Sequence, residues 1–389
     1  MDSVRNNICR RALTLSVGIA TSVASLLSQS FFDYGFEREF PACLDQMQET
    51  LTYPMAWGNS PIRSFDLWRV EARRCVLDAM QLAPPASNDY QLEVVATERR
   101  EGYEARKLRF NLSAFTRAEA YYLVPEGKGP FPTVILLHDH GGHYMIGKEK
   151  MVRPFACADS IVQDAEWWQT QCYGGQYVGD YLAKQGYAVF VTDALYWGDR
   201  GRREGRREDT HMRMAGNLME LGYCWSGIIT YDDIYTADFV ATLPEVDKDR
   251  IGCMGHSMGG YRTWMLAAMS DKVKVGVAVC WMVTTDVQCS WKYGNEFGGF
   301  ANTLPGIKRY LDYPHIASMA CPKAMYFING QHDKLFHPEG VQKAYDYMHS
   351  VWDGQGAGSK LKTELLDMSH WCGPEVQQAA KEFLDENLK

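Results

Sequence analysis

Ile251-Gly252-Cys253-Met254-Gly255-His256-Ser257-Met258-Gly259-Gly260 reads as a strand running into a helix through a glycine-flanked serine, and this stretch decides what kind of fold the chain adopts. The apolar run Ile251 to Met254 ends in a Gly-x-Ser-x-Gly turn, and a helix-compatible segment, Gly260 to Met269, follows at once. So sharp a strand-to-helix turn strains the backbone at its central residue, and the flanking glycines are needed because a Cβ would clash there. The turn lifts the serine hydroxyl above the sheet edge and aims the first free N–H groups of the helix at the same spot. The bland alternative is an incidental serine in a glycine-rich connection, and the strand before it and the helix after it argue against that. Ser257 is the candidate nucleophile.

A serine hydroxyl is a poor nucleophile without a base, and the base needs a carboxylate to orient it. After an elbow of this kind the chain order is serine, acid, histidine. Five histidines follow Ser257: His315, His332, His337, His349 and His370. His370 is best placed, between the strand-like run Leu361 to Leu366 and a terminal helix starting near Pro374. Asp333 follows the apolar run Ala324 to Ile328, within the turn Asn329-Gly330-Gln331-His332-Asp333. Asp346 falls inside a helix and Asp367 lies too close to His370 in sequence, so both are weaker acids for the role.

An oxyanion needs two preorganised N–H donors. The amide of Met258 is one candidate. The other is the amide of His140, in the loop His138-Asp139-His140-Gly141-Gly142-His143 that follows the run Thr133 to Leu137. Histidines at this spacing also permit a rival: His138, His140 and His143 as ligands of a catalytic zinc. That pattern is similar to the metallo-β-lactamase zinc motif, but Gly142 stands where the motif has Asp, and zinc leaves the serine elbow unexplained.

Away from these loops the chain alternates short apolar runs with helical segments. Leu92 to Thr97, Ala105 to Leu112 and Ala118 to Val124 read as antiparallel strands at the start of a sheet. Thr133 to Leu137, Ala188 to Thr192, Ile251 to Met254, Val275 to Val279 and Ala324 to Ile328 are continuous and apolar, as expected of parallel strands covered on both faces. Helical segments at Ser64 to Leu82, Tyr177 to Gln185, Tyr231 to Leu243 and Val341 to Val351 fit between or before them. Insertions at 141–173, 195–229 and 281–313 begin at the C-terminal ends of strands, where open α/β sheets place their sites. The expected organisation is residues 1–30 as a signal peptide or N-terminal helix, 31–90 as a helical extension and 91–389 as one catalytic domain.

The chain has 389 residues, a net charge of −8 and a pI of about 5.7. Such a balance gives no electrostatic support for nucleic-acid binding. Arg200, Arg202, Arg203, Arg206 and Arg207 form a local basic cluster, read as a solvated loop, with recruitment of an anionic substrate as the alternative. The 11 cysteines are scattered, with neither a C-x-x-C pair nor zinc-finger spacing, and are expected to be free thiols. Arg5, Arg10 and Arg11 precede an uncharged stretch from Ala12 to Phe32 rich in Ser and Thr. This pattern fits an export signal, with Arg10-Arg11 hinting at the twin-arginine route. An exported or periplasmic protein is expected if the segment is such a signal, and a cytoplasmic one otherwise. A stable membrane association is not expected, and no cofactor is implied.

Leu136-Leu137-His138-Asp139-His140-Gly141-Gly142, Gly147-Lys148-Glu149, Gly186-Tyr187, Asp193, Trp197-Gly198, the elbow at Ser257, Asp333 and His370 together carry a resemblance. The chain resembles bacterial serine α/β-hydrolases of the dienelactone-hydrolase and acetyl-xylan-esterase-like group, over roughly Trp68 to Leu388. The resemblance implies an α/β-hydrolase fold: a mostly parallel central sheet with helices on both faces and antiparallel strands at its start. It also implies hydrolysis of carboxylic esters, including acyl groups on carbohydrate or other small substrates. Dienelactone hydrolases carry Cys where this chain has Ser257, which favours an ordinary ester over a lactone. Asp139 replaces the glycine common in such loops, which weakens the assignment of the oxyanion donor to His140. Trp281, Met282 and Tyr196 are expected to face substrate, with Trp167, Trp168 and Trp291 as further aromatics of the insertions; cap packing is the competing role for all of them. A serine peptidase or amidase on the same three residues is the runner-up, although these proteins usually carry a large N-terminal domain for which residues before Leu92 leave little room. An idle homologue used for binding would be expected to lack one of the three residues, and none is missing.

Overall fold

Residues 43–201, 208–290, 293 and 299–389 are described by a computed structural model. The segment 1–30, most of the arginine cluster (202–207) and Trp291 lie outside the described residues. Two helices, α1 (Cys43–Glu49) and α2 (Phe65–Met80), precede the strands β1 (Glu93–Arg100), β2 (Tyr103–Asn111), β3 (Arg117–Pro125) and β4 (Phe131–Leu137). Helices α3 (Asp159–Cys172) and α4 (Val178–Lys184) lead to β5 (Ala188–Thr192), and α5 (Glu208–Glu220) and α6 (Trp225–Val240) lead to β6 (Val246–His256). Then come α7 (Met258–Met269), β7 (Val275–Val279), the short α8 (Thr285–Gln288) and α9 (Tyr313–Ala317), β8 (Ala324–Gly330), α10 (Pro338–Gly354), β9 (Leu361–Leu366) and α11 (Pro374–Leu388).

The strands form one nine-stranded sheet in the order β1-β2-β3-β5-β4-β6-β7-β8-β9. β1, β2 and β3 pair antiparallel, as does β3 with β5. Every pairing from β5 onward is parallel. This is the α/β architecture expected from the apolar runs: β5 and β7 are buried at every position, as strands covered on both faces must be. Trp264, Phe239, Trp68 and Tyr345 belong to the core on one face, and Leu182, Val178, Phe383 and Leu384 to the core on the other.

The N-terminal helical segment is part of that first core. α2 starts at an N-cap in which Ser64 accepts from the Leu67 amide, satisfying one of the free donors of a helix start. It buries Trp68, Ala72, Val76 and Met80. Trp68 also donates from Nε1 to the Met55 carbonyl at 2.7 Å and sits against Trp57 and Phe65. A Cβ at Gly227 of α6 would come within 2.2 Å of the Met80 carbonyl oxygen, so α2 and α6 are in close backbone contact. Trp68→Ala should therefore lower the unfolding free energy by about 3–5 kcal/mol, the range for a fully buried Trp. Chemical denaturation checks this, and a midpoint equal to the wild type's would mean that the segment merely rests on the domain.

Candidate functional site

β6 ends at His256 and α7 begins at Met258, so Ser257 is the elbow between them. Its φ of 56° and ψ of −124° lie in a region that side-chain-bearing residues rarely occupy. The elbow closes against β4. A Cβ on Gly259 would lie 1.8 Å from the Leu137 carbonyl oxygen, and one on Gly255 would lie 2.4 Å from the backbone of Gly259. Both glycines are thus required by close approach, as the motif implied.

Two more strand ends on the same side of the sheet bring in the acid and the imidazole. β8 and β9 run parallel to β6 and β7. Their following loops are stitched together by Gln331 N–H to Leu366 O at 2.7 Å and His332 N–H to Met368 O at 3.0 Å. That stitching places His370 Nδ1 2.7 Å from Asp333 Oδ2, while Asp333 Oδ1 accepts from the Leu335 amide at 2.9 Å. A carboxylate is an acceptor, so Nδ1 carries the proton and Nε2 keeps its lone pair. The imidazole lies beside the elbow: its ring centroid is 4.7 Å from that of His256. Ser257 Oγ and His370 are not joined by a hydrogen bond among the described residues, a common state before substrate binds.

The other histidines and acids are engaged elsewhere. His315 closes a capping box at α9 and His337 caps α10, His349 meets Thr363, and His332 pairs with Asp367 at 2.6 Å. Asp346 accepts from Gln342.

The loop after β4 is held by buried charge. Lys150 Nζ donates to Asp139 Oδ1 at 3.2 Å, to Asp139 O at 3.2 Å and to His140 O at 3.1 Å. Asp139 Oδ2 accepts from Tyr173 Oη at 2.6 Å and Trp168 Nε1 at 3.1 Å. Burial alone would raise the Asp139 pKa; Lys150 above all outweighs it and holds the carboxyl below its usual range. The amides of Met258 and His140 donate to no described group, which leaves both N–H groups available.

The three histidines proposed as a zinc site do not gather. His138 Nδ1 meets Asp139 O at 2.9 Å, and its Nε2 accepts from the Ala194 amide at 2.9 Å. Both its nitrogens are used. His143 pairs with Asp164 at 2.7 Å and stacks on Trp168. His140 Nδ1 accepts from the Gly142 amide at 3.0 Å. Among the described residues the His/Cys/Asp/Glu group close enough to share an ion is a different one, His256, Cys280 and His370.

The residues expected to face substrate are buried. Trp281 is 2% exposed and Met282 is 0% exposed; both face the core. Trp281 packs on Trp264, Tyr313 and Phe336, and Phe336 in turn lies along the His370 ring at 6.1 Å, so Trp281 supports the imidazole from behind. Tyr196 takes a φ of 88° and lines a cleft of about 440 Å³ with Arg200, Thr210, Arg213, Met214 and Asn217. The walls of that cleft include none of Ser257, Asp333 and His370. Trp168 binds Asp139, and Trp167 is exposed at the edge of His143.

The sequence reading assigned no role to Lys148 and took Arg200 as part of a solvated loop; both side chains are buried among carboxylates. Lys148 Nζ meets Glu149 Oε1 and Asp193 Oδ2 at 2.9 Å and Asp199 Oδ2 at 2.5 Å. Burial would strip this ammonium of its proton, but Asp193, Glu149 and Asp199 outweigh burial and hold its pKa well above the usual value. Arg200, the described end of the arginine cluster, is likewise buried on Asp232 at 2.7 Å rather than solvated, beside the bidentate pair Arg262–Asp233.

The sequence model of the Abhydrolase family matches residues 42–351. A Bacillus subtilis (strain 168) protein named as a hydrolase, YtaP, is 28% identical over 305 residues, covering 78% of this chain and 95% of its own. A structure from Bacteroides fragilis NCTC 9343 named as an acetyl xylan esterase superposes with a TM-score of 0.67 at 18% identity, covering 83% of this chain and 81% of that one. Glucuronoyl esterase from Solibacter usitatus gives a TM-score of 0.60 at 12% identity, over 87% of this chain and 98% of that one. Acetyl Xylan Esterase 1 from Thermoanaerobacterium sp. JW/SL YS485 gives 0.55 at 18%, over 89% and 99%. No helix among the described residues is long and apolar enough to cross a membrane.

Lys150→Met should cost about 3–5 kcal/mol in urea denaturation, because it leaves the Asp139 carboxylate buried without its cation. A cost below about 1 kcal/mol would show that the loop does not depend on the pair. A second outcome concerns acid. Burial lowers the pKa of His256 to about 3 and of His140 to about 4. Unfolding therefore takes up protons between these values and the ordinary pKa of about 6.5, and stability falls as pH drops through that window. His256→Gln should shed about one proton from that slope, read from denaturation midpoints between pH 4 and 7.

Proposed function

The chain belongs to the Abhydrolase family, and on that premise we propose that it is a serine esterase that hydrolyses carboxylic esters through an acyl-enzyme on Ser257. The substrates are acyl groups on carbohydrate or other small alcohols. The observation that carries this reading is the 2.7 Å pair of His370 and Asp333, standing at the strand ends that also present the strained Ser257.

The chemistry runs as follows. His370 Nε2 takes the Ser257 proton as the hydroxyl attacks the ester carbonyl, and the amides of Met258 and His140 hold the negative charge that develops on oxygen. His370 gives its proton to the leaving alcohol. Water, deprotonated by the same imidazole, then releases the acid. Asp333 fixes the tautomer and stabilises the imidazolium without taking the proton. Structures named as acetyl xylan and glucuronoyl esterases share the fold, which supports an ester and, within esters, a carbohydrate one. A peptidase or amidase on the same residues is the second reading.

Purified protein should turn over p-nitrophenyl acetate and release acetate from acetylated xylan, with aminoacyl-nitroanilide left intact. Ser257→Ala and Asp333→Asn should each lower kcat on p-nitrophenyl acetate by about 10⁴-fold, and EDTA should leave the wild-type rate unimpaired. Turnover surviving in Ser257→Ala, or lost to EDTA, rejects the serine mechanism; cleavage of the anilide in preference to the esters selects the second reading.

A further inference from the structure

Beside the proposed base lies a cluster that ester chemistry does not use. His256 is 1% exposed, and neither of its ring nitrogens has a hydrogen-bond partner. A buried polar group left unsatisfied is costly and rare enough in native proteins to require a reason. Cys280, at the end of β7, is fully buried with a φ of 53°, and its thiol makes one weak bond, to Trp371 O at 3.6 Å. A ring nitrogen of His256, a ring nitrogen of His370 and Cys280 Sγ all lie within 4.8 Å of one another.

Two imidazoles and a thiolate are the donor set of zinc and related thiophilic cations. Bonds of about 2.0–2.3 Å to one ion would draw these atoms together by about 1 Å. Asp333 already stands behind His370, and a carboxylate behind a ligating imidazole is the usual outer support of such sites. The His370 side chain is 23% exposed and provides the way in.

We propose that His256, Cys280 and His370 form a site for a thiophilic divalent cation of the zinc class, and that its occupancy withholds His370 from Ser257 and reversibly stops turnover. The inhibitory half rests on the esterase reading above. On binding, the cation gains bonds to two imidazole nitrogens and to Cys280 Sγ, the S–H proton leaves to solvent, and water completes four-coordination; no electron is transferred. An imidazole held by the cation cannot also accept the Ser257 proton in the orientation that Asp333 sets.

The test uses Co²⁺ and Zn²⁺ on the full chain. One equivalent of Co²⁺ should produce a sulfur-to-cobalt charge-transfer band that disappears in Cys280→Ser and weakens in His256→Asn, the second variant keeping the test decisive if the first misfolds. Zn²⁺ should abolish wild-type ester turnover, EDTA should restore it, and Cys280→Ser should need at least about tenfold more Zn²⁺ to lose half of its own metal-free rate. No band, or a band unchanged in both variants, overturns the site. A cysteine-dependent band with turnover untouched by Zn²⁺ overturns the inhibitory role. Turnover that survives Ser257→Ala condemns the serine reading instead, and the cobalt band still decides the site.

Discussion

Gly259 touching the Leu137 carbonyl is the contact on which the rest of the site depends. With no side chain at that position, the first turn of α7 sits directly on the C-terminal end of β4. The elbow and the loop 138–140 are thereby set against each other by backbone alone. Ser257 bears the strain of that approach in its dihedral angles, and the Met258 and His140 amides donate to no other backbone group among the described residues. Any side chain at position 259 would part the two loops.

Backbone contact sets the distance; buried charge keeps it. Lys150 fastens Asp139 and the His140 carbonyl, Arg262 reaches from α7 toward the His138 carbonyl at 3.5 Å, and His138 is locked between its neighbour and Ala194. Each of these anchors acts on a loop that regular secondary structure does not hold. On the far side, the stitched loops after β8 and β9 align Asp333 with His370, and Phe336 and Trp281 back the ring. Asp333 is buried, while Ser257 and His370 stay partly exposed.

Much of this was legible in the sequence because it is local. β5 and β7 coincide with apolar runs bounded by turn residues, β9 with the strand-like run Leu361 to Leu366, and the elbow is announced within ten residues. β6 begins at Val246, earlier than read, because Asp247 to Arg250 are polar, none of them is buried, and the register with β4 shifts between Val246 and Ile251. α6 begins at Trp225 rather than Tyr231 because its first turns are buried on all sides and show no amphipathic period. Trp281 shows a related limit: in sequence, an aromatic just past a strand end looks the same whether it faces a cleft or the core. Arg200 read as solvent-facing because its partner, Asp232, lies 32 positions away, a separation that no periodicity reveals.

The Lys148 cluster carries a consequence for how this protein can change. One ammonium and three carboxylates, drawn from 147–150 and 193–199, share one cluster in which Lys148, Glu149 and Asp193 are buried and Asp199 reaches solvent, so no buried member can be exchanged singly without stranding a charge. Whether by drift or by design, the two segments can be inherited only together, as a cassette. Variation in what the hydrolase accepts must therefore accumulate in the lengths of chain around that cassette and leave it intact.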